Sequence, residues 1–372
     1  MSDDKQQEYF ADGMTEDLIT DLSKLSELFV VARNTVFTYK GRAVKVHEVA
    51  EELGVRYVLE GSVRRSGDQV RINAQLIDAL SGGHVWAERY DGVMDDVFAL
   101  QDEVTRGIVK ELKVSLSIKD DAAISTAETA DSVAYDLFLR GWERYQSRDP
   151  LEYSSAIDFF ERAIDKDPGF SRAHAALTMV YLEIIKRVWW RQSLGIHYYQ
   201  AVERARLALR RARQNPVALT HQIVAEWYSI FSDRARLAIE AAELALELNP
   251  NHPASHMAMA SALLKDSRPK EAEEFIRTAM RLNPSFPPDY LVSLAQAQFQ
   301  LGNYPDAANS LERAVAQNSN DNWAYVYLAA TYGKLGQRQK AQKSVDSGQF
   351  IARRCRLRPC NGSCHCELGF QV

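Results

Sequence analysis

No cysteine precedes Cys355. The main body of the chain therefore folds without disulfides or thiolate metal sites, which fits a reducing compartment. Long apolar runs are also missing, and none approaches the roughly 18 residues needed to cross a bilayer. The acidic N-terminus lacks the basic-then-apolar order of a secretory leader, so the cytoplasm is the default location. Neither sign of charge dominates: the net charge is −5 and the sequence pI is about 6.0. That balance excludes the electrostatic footprint of a nucleic-acid or anionic-membrane partner. There is no G-x-S-x-G, no H-E-x-x-H and no glycine loop leading into a helix. No catalytic residue, cofactor or metal is assigned.

What is present is an ordinary soluble mixture, 46% apolar and 26% charged over 372 residues, enough for two or more domains. The stretch FADGMTEDL gathers Asp12, Glu16 and Asp17 close to Asp21. Asp12 reads as a helix N-cap, with Glu16 and Asp17 complementing the helix dipole. Asp17 and Asp21, at i and i+4, could face one another as a metal pair. With no further ligand nearby, capping and solvation on a polar helix face explain them better.

Met14, Leu18, Leu22 and Leu25 mark the apolar stripe of that helix. LFVVAR (28–33) predicts a buried strand, and Val46, Val49, Ala50 and Leu53 a second helix stopped by Gly54. RYVLEGSVRR and QVRINAQLID predict a hairpin turning at Ser66-Gly67-Asp68. HVWAERYD is a third strand after Gly82-Gly83, and a helix follows over about 94–116. The order gives a small mixed α/β layer.

The phrases EYFADGMTEDLITDLSKLSELFVVARNTVFTYKG, VAEELGVRYVLEGSVRRSGDQVRINAQLIDALSGGHVWAERYD and FALQDEVTRGIV resemble a bacterial TolB-like domain over Glu8 to Val109. The resemblance implies a place between an upstream class III adenylate/guanylate cyclase or winged-helix domain and downstream tetratricopeptide repeats. Family members open this domain with an apolar strand just ahead of the acidic segment, whereas Met1 falls within the loop that follows it. The expectation is a truncated domain (1–118) whose first strand is missing, leaving an empty sheet position. Such a unit should be destabilised or need a partner strand, whereas the repeats should fold alone.

After a polar linker (119–132), AIDFFERAIDKDP, AIEAAELALELNP, EAEEFIRTAMRLNP and AANSLERAVAQNS repeat one phrase. Ala238, Ala272, Ala307 and Ala341 recur at 34, 35 and 34 residues, the tetratricopeptide period. His174-Leu177-Tyr181, His256-Met259-Leu263 and Tyr325-Leu328-Tyr332 supply the first-helix positions. Ala260, Ala295 and Ala329 allow close packing. The second pair is distorted by EIIKRVWWRQSLGIHYYQ, with Ala201, Ala205, Ala208 and Ala212 as its stripe. About six helix pairs, the last incomplete, fill 133–350. The RRARQ arginines read as a solvated helix face.

A repeat superhelix presents its first helices as a concave groove for a protein or peptide partner. By the family's geometry that groove includes Asp289, Gln296, Phe299 and Trp323; the competing reading has Trp323 cover the end of the stack. The Arg- and Cys-rich tail (351–372) carries Cys355, Cys360, Cys364, His365 and Cys366, spaced like no common zinc finger. Its abrupt change of composition suggests a frame change rather than a metal site. The expected fold is an α+β N-terminal domain followed by an all-α repeat superhelix. The expected function is non-catalytic docking or regulation within a bacterial signalling protein, resembling the part that accompanies a class III adenylate cyclase. A small-molecule-sensing α/β domain and the regulatory part of a winged-helix transcriptional regulator are the alternatives. Oligomeric state has no sequence signal.

Overall fold

A computed structural model describes residues 8–112, 128–187, 191 and 193–356. Helix α1 (Glu8–Ser23) buries Met14, Leu18 and Leu22 on one side, and Leu25 closes the stripe just beyond it. The helix is under way before Asp12, so Asp12 is not its cap. Its carboxylate instead meets Lys40 Nζ at 2.5 Å, and the same ammonium reaches Glu8 at 2.6 Å.

LFVVAR is not a strand. It lies outside the sheet and passes into a short helix α2 (Arg33–Val36) and a 3₁₀ turn over Phe37–Tyr39. Val31 and Ala32 are buried, and the Ala32 amide donates to the Leu282 carbonyl at 2.8 Å. Leu28 and Val30 pack on the main core cluster while Phe29 stays exposed, a partial burial that strand propensity cannot tell from a place in a sheet. Helix α3 (Val46–Leu53) ends as expected at Gly54, whose φ of 66° only glycine adopts at little cost.

Three antiparallel strands follow in the order β1 (Tyr57–Ser66), β2 (Gln69–Asp78), β3 (Gly83–Val93). Ser66 faces Gln69 across the tight turn, and a bulge at Leu76/Ile77 adjusts the second ladder. On the central strand Val70, Ile72 and Ala74 are buried while Arg71 alternates outward. They share a core with Met14 of α1 and with Val97, Val104 and Ile108 of α4 (Val97–Glu111).

The remainder is a stack of paired helices typical of a tetratricopeptide superhelix. The pairs are α5 (Ser132–Gln146) with α6 (Tyr153–Lys166), α7 (Ser171–Lys186) with α8 (Tyr198–Ala212), and α9 (Ala218–Phe231) with α10 (Ala235–Leu248). They continue as α11 (Pro253–Lys265) with α12 (Pro269–Leu282), α13 (Pro288–Gln300) with α14 (Tyr304–Gln317), and α15 (Asn322–Lys334) with α16 (Arg338–Arg356). Helix α16 runs past Phe350, where composition suggests a break; Cys360, Cys364 and Cys366 lie outside the described residues. The repeated alanines Ala238, Ala272 and Ala307 are fully buried, as the small close-packing position requires. The first-helix histidines are structural: His174 Nε2 bonds the Pro168 carbonyl at 3.1 Å and His256 Nε2 the Pro250 carbonyl at 2.7 Å. Each ties a helix to the proline that ends the previous one, and burial lowers both imidazole pKa values.

One continuous buried cluster runs from Tyr9 and Phe10 through the sheet to Ala297, with a second from Leu291 to Tyr332. Helix α1 approaches α5 closely at Gly13, where a Cβ would lie 2.5 Å from Leu139 Cδ2. Gly13→Ile should therefore destabilise the protein by about 1–3 kcal/mol through overpacking. Thermal unfolding followed by circular dichroism measures this; an unchanged midpoint would contradict the packing described.

Candidate binding groove

Residues 8–39 form an arm laid along the repeats. Its first anchor is Tyr9, whose hydroxyl donates to Asp136 Oδ1 at 2.5 Å and accepts from Arg140 Nη2 at 2.8 Å. Arg65 of β1 also reaches Asp136 Oδ1, at 2.5 Å, so sheet, α1 and α5 meet on one carboxylate. Asp136 is accordingly held below the usual carboxylate range: burial opposes ionisation, but the Tyr9 and Arg140 hydrogen bonds outweigh it.

The second anchor is buried deeper. Asp17, 7% exposed, pairs with Arg172 Nη2 of α7 at 2.7 Å and accepts from Tyr135 Oη at 2.5 Å. Gln101 Nε2 of α4 bonds the same tyrosine oxygen at 2.9 Å. Arg172 lies 4.7 Å over the Phe138 ring and faces Glu128 at 3.6 Å. Burial by itself would lower its pKa, but Asp17 and Glu128 raise it instead, so the guanidinium stays charged. Asp17 is thus no solvated carboxylate. The face of α1 beside its apolar stripe is also covered, by α4, α5 and α7.

Further along, Glu16 pairs with Arg33 at 2.8 Å. Asn251 ahead of α11 donates from its amide to Ser23 O at 3.2 Å and from Nδ2 to Leu25 O at 2.8 Å. Thr35, buried, donates to Asn283 Oδ1 at 3.0 Å and accepts from the Ser285 amide at 2.8 Å. Among the described residues these are the furthest hydrogen bonds from the arm to the repeats, and they stop short of α13.

Beyond that point stand the residues expected to line the groove, and they do not form one set. Asp289, in the first turn of α13, is open to solvent and faces Arg187 at 3.8 Å. Gln296 is half-buried. Phe299 turns inward: it packs on the second core cluster and meets Tyr304 edge-on at 5.3 Å. Trp323 opens α15 and is 61% exposed, so it buries no core. Nearby Asp321 caps α15 by accepting from the Ala324 amide at 3.1 Å, and burial raises its carboxyl pKa. Among the described residues, no group of three or more His, Cys, Asp or Glu is placed to hold a metal. None of those residues forms a helix long and apolar enough to cross a membrane.

The arm is the feature least visible in sequence. One signal is there: Asp17 and Asp21 fall three and seven residues after Met14, on the edge of the buried stripe.

A tetratricopeptide-repeat family model matches residues 292–340, and a model described as anaphase-promoting complex, cyclosome, subunit 3 matches residues 233–314. A protein of Rhizobium meliloti (strain 1021) named "Putative adenylate cyclase 3" is 49% identical over 189 residues, covering 51% of this chain. The chain spans only 32% of that relative's length. Among solved structures, a thermophilic repeat protein of Thermus thermophilus is 18% identical, with 53% of this chain and 98% of that one aligned at a TM-score of 0.39. PilF of Pseudomonas aeruginosa is 16% identical, with 60% and 92% aligned at 0.40. A structure of the APC/C hetero-tetramer Cut9–Hcn1 is 15% identical, with 69% and 50% aligned at 0.45.

The interface of α1 with the repeats carries a pH signature. Burial pushes Asp21 up from 3.8 to about 6, against the pull of Lys24 at 2.7 Å, and burial also raises Glu128 and Glu16. A carboxyl whose pKa rises on folding binds its proton more tightly in the folded state. Its contribution to stability is complete below the unfolded value and disappears as pH rises through the folded one. Stability should therefore fall with rising pH between about 4 and about 6. Asp21→Asn should flatten that slope and raise the melting temperature near neutral pH. A lower melting temperature there would show that the Lys24 pair outweighs burial.

Proposed function

We propose that this chain is a non-catalytic, partner-binding region of a bacterial signalling protein, of the kind that accompanies a class III adenylate cyclase domain. The identity to the Rhizobium meliloti protein supports that setting. In this reading residues 1–118 form the TolB-like layer, 119–132 a linker, 133–350 the repeat array and 351–372 an atypical tail. The repeats bind a peptide or protein, and catalysis belongs to a domain of another kind.

The observation that carries the binding role is where the arm ends. Its hydrogen bonds reach Asn283 and Ser285, leaving the first helices α13 and α15 to present Asp289, Gln296 and Trp323 beyond it. An exposed tryptophan beside acidic side chains suits a partner segment with an apolar anchor and a basic flank. Aromatic anchors of this type carry much of the energy of an interface, about 2 kcal/mol or more when truncated.

Peptides selected by display on the full chain provide the test. Trp323→Ala should weaken them by about tenfold or more, in line with that energy. Asp289→Lys should weaken those with basic flanks, whereas Phe299→Ala should lower stability through lost core packing. Peptides that bind the Trp323→Ala and Asp289→Lys proteins as tightly as the parent would remove the groove from α13 and α15.

A further inference from the structure

The second helix pair departs from the regular stack, and the departure leaves a cleft. Three residues join the helices within later pairs (232–234, 266–268 and 301–303), but residues 187–197 separate α7 from α8. Helix α8 is seated on α7 by Ala201, Ala205, Ala208 and Ala212, all buried. Its other side does not close on α9. Between the two helices lies a cleft of about 350 Å³ lined by Arg206, Arg210 and Arg213 from α8 and the turn after it, and by Trp227 and Tyr228 from α9. Leu209 and Val224, both buried, form its apolar floor.

The charged side chains that line the cleft are all basic. Arg206 is neutralised by Glu203 at 2.6 Å. The side chains of Arg210 and Arg213 make no salt bridge or hydrogen bond among the described residues, although Arg210 also lies within the field of the Glu203 carboxylate; the two stand three residues apart on one side of the cleft. Some exposed arginines of the array find carboxylates at helical spacing, such as Arg268 with Glu271, Arg277 with Glu273 and Arg236 with Glu240, whereas others, such as Arg313 and Arg338, do not among the described residues. Two guanidinium groups that line one side of a cleft can hold an anion there with charge-assisted bonds. Opposite them half-buried Trp227 and Tyr228 line the cleft, and Trp227, backed by Phe231 at 4.4 Å, can take a flat aromatic group on its cleft side. The volume lies within the range of small-ligand pockets, and a few polar anchors over an apolar floor are the usual composition of one.

We propose that the α8–α9 cleft is a binding site for a small organic anion that joins a flat ring to a phosphate or carboxylate group. Arg210 and Arg213 hold the anion, and Trp227 stacks on the ring. Such a ligand touches α8 and α9 together and would fix the one loosely closed joint of the described array. The site is separate from the α13–α15 groove, and the two stand or fall independently.

Calorimetric titration of the full chain with 1-naphthyl phosphate, 1-naphthoate, 1-naphthol and inorganic phosphate tests this. One of the two ring-bearing acids should bind at a single saturable site, more tightly than 1-naphthol or phosphate, and the tighter acid identifies the preferred anion. Arg210→Ala/Arg213→Ala and Trp227→Leu should each weaken that binding at least tenfold; both arginines are exposed, so the double variant should melt like the parent. Absence of binding by both acids, equal binding of 1-naphthol, or affinities unchanged in the folded double variant would overturn the proposal.

Discussion

The buried ion pair between Asp17 and Arg172 is the contact on which the architecture turns. It joins residues 155 positions apart, and its neighbours Tyr135, Gln101 and Glu128 come from three further segments. Two charges taken from water gain little by themselves, but removing one partner leaves the other stranded at a cost of about 3–5 kcal/mol. The pair therefore works less as a source of stability than as a lock on register. Only one seating of α1 on α5 and α7 satisfies Asp17, Tyr135 and Arg172 together.

That seating decides what the rest of the chain can present. With α1 fixed, residues 24–35 run along the turns ahead of α11 and α13, where Asn251, Asn283 and Ser285 bind their backbone and Thr35. The arm's described hydrogen bonds to the repeats end at Asn283 and Ser285, ahead of α13; in the proposed function α13 and α15 are the helices left for a partner. A separate feature is the arginine- and tryptophan-lined cleft between α8 and α9. An intramolecular clasp, a groove and a small-anion cleft would then divide one scaffold among three kinds of contact.

Local pattern reveals most of the elements. The 34-residue recurrence of alanine, the hairpin at Gly67 and the stop at Gly54 are each governed by neighbours in sequence, and each is legible there. What local pattern misses is long-range. LFVVAR has the composition of a strand, yet its burial comes from Leu282 and its neighbours some 250 residues away, which no local pattern encodes. Asp12 looks like a cap because the residues ahead of it carry no helix signal of their own. Repeat geometry assigns Phe299 to the groove; its half-buried ring also packs on the second core cluster and meets Tyr304 edge-on, a contact that spacing alone does not reveal. The RRARQ arginines read as a solvated face, and they are exposed; that Arg210 and Arg213 line one cleft with Trp227 is visible only in three dimensions.

The central claim is that α1, the sheet and the early repeats form one cooperative unit. The family resemblance implies the opposite, an unstable α/β layer beside repeats that fold alone. Native-state hydrogen exchange on the full chain separates the two most directly. If the unit is single, amides of α1 and β2 and those of α7 should exchange through the same opening free energy, and Arg172→Met should lower all of them together. If α1 and β2 open at a much lower free energy while α7 keeps its protection, the clasp does not hold the fold and the account is wrong.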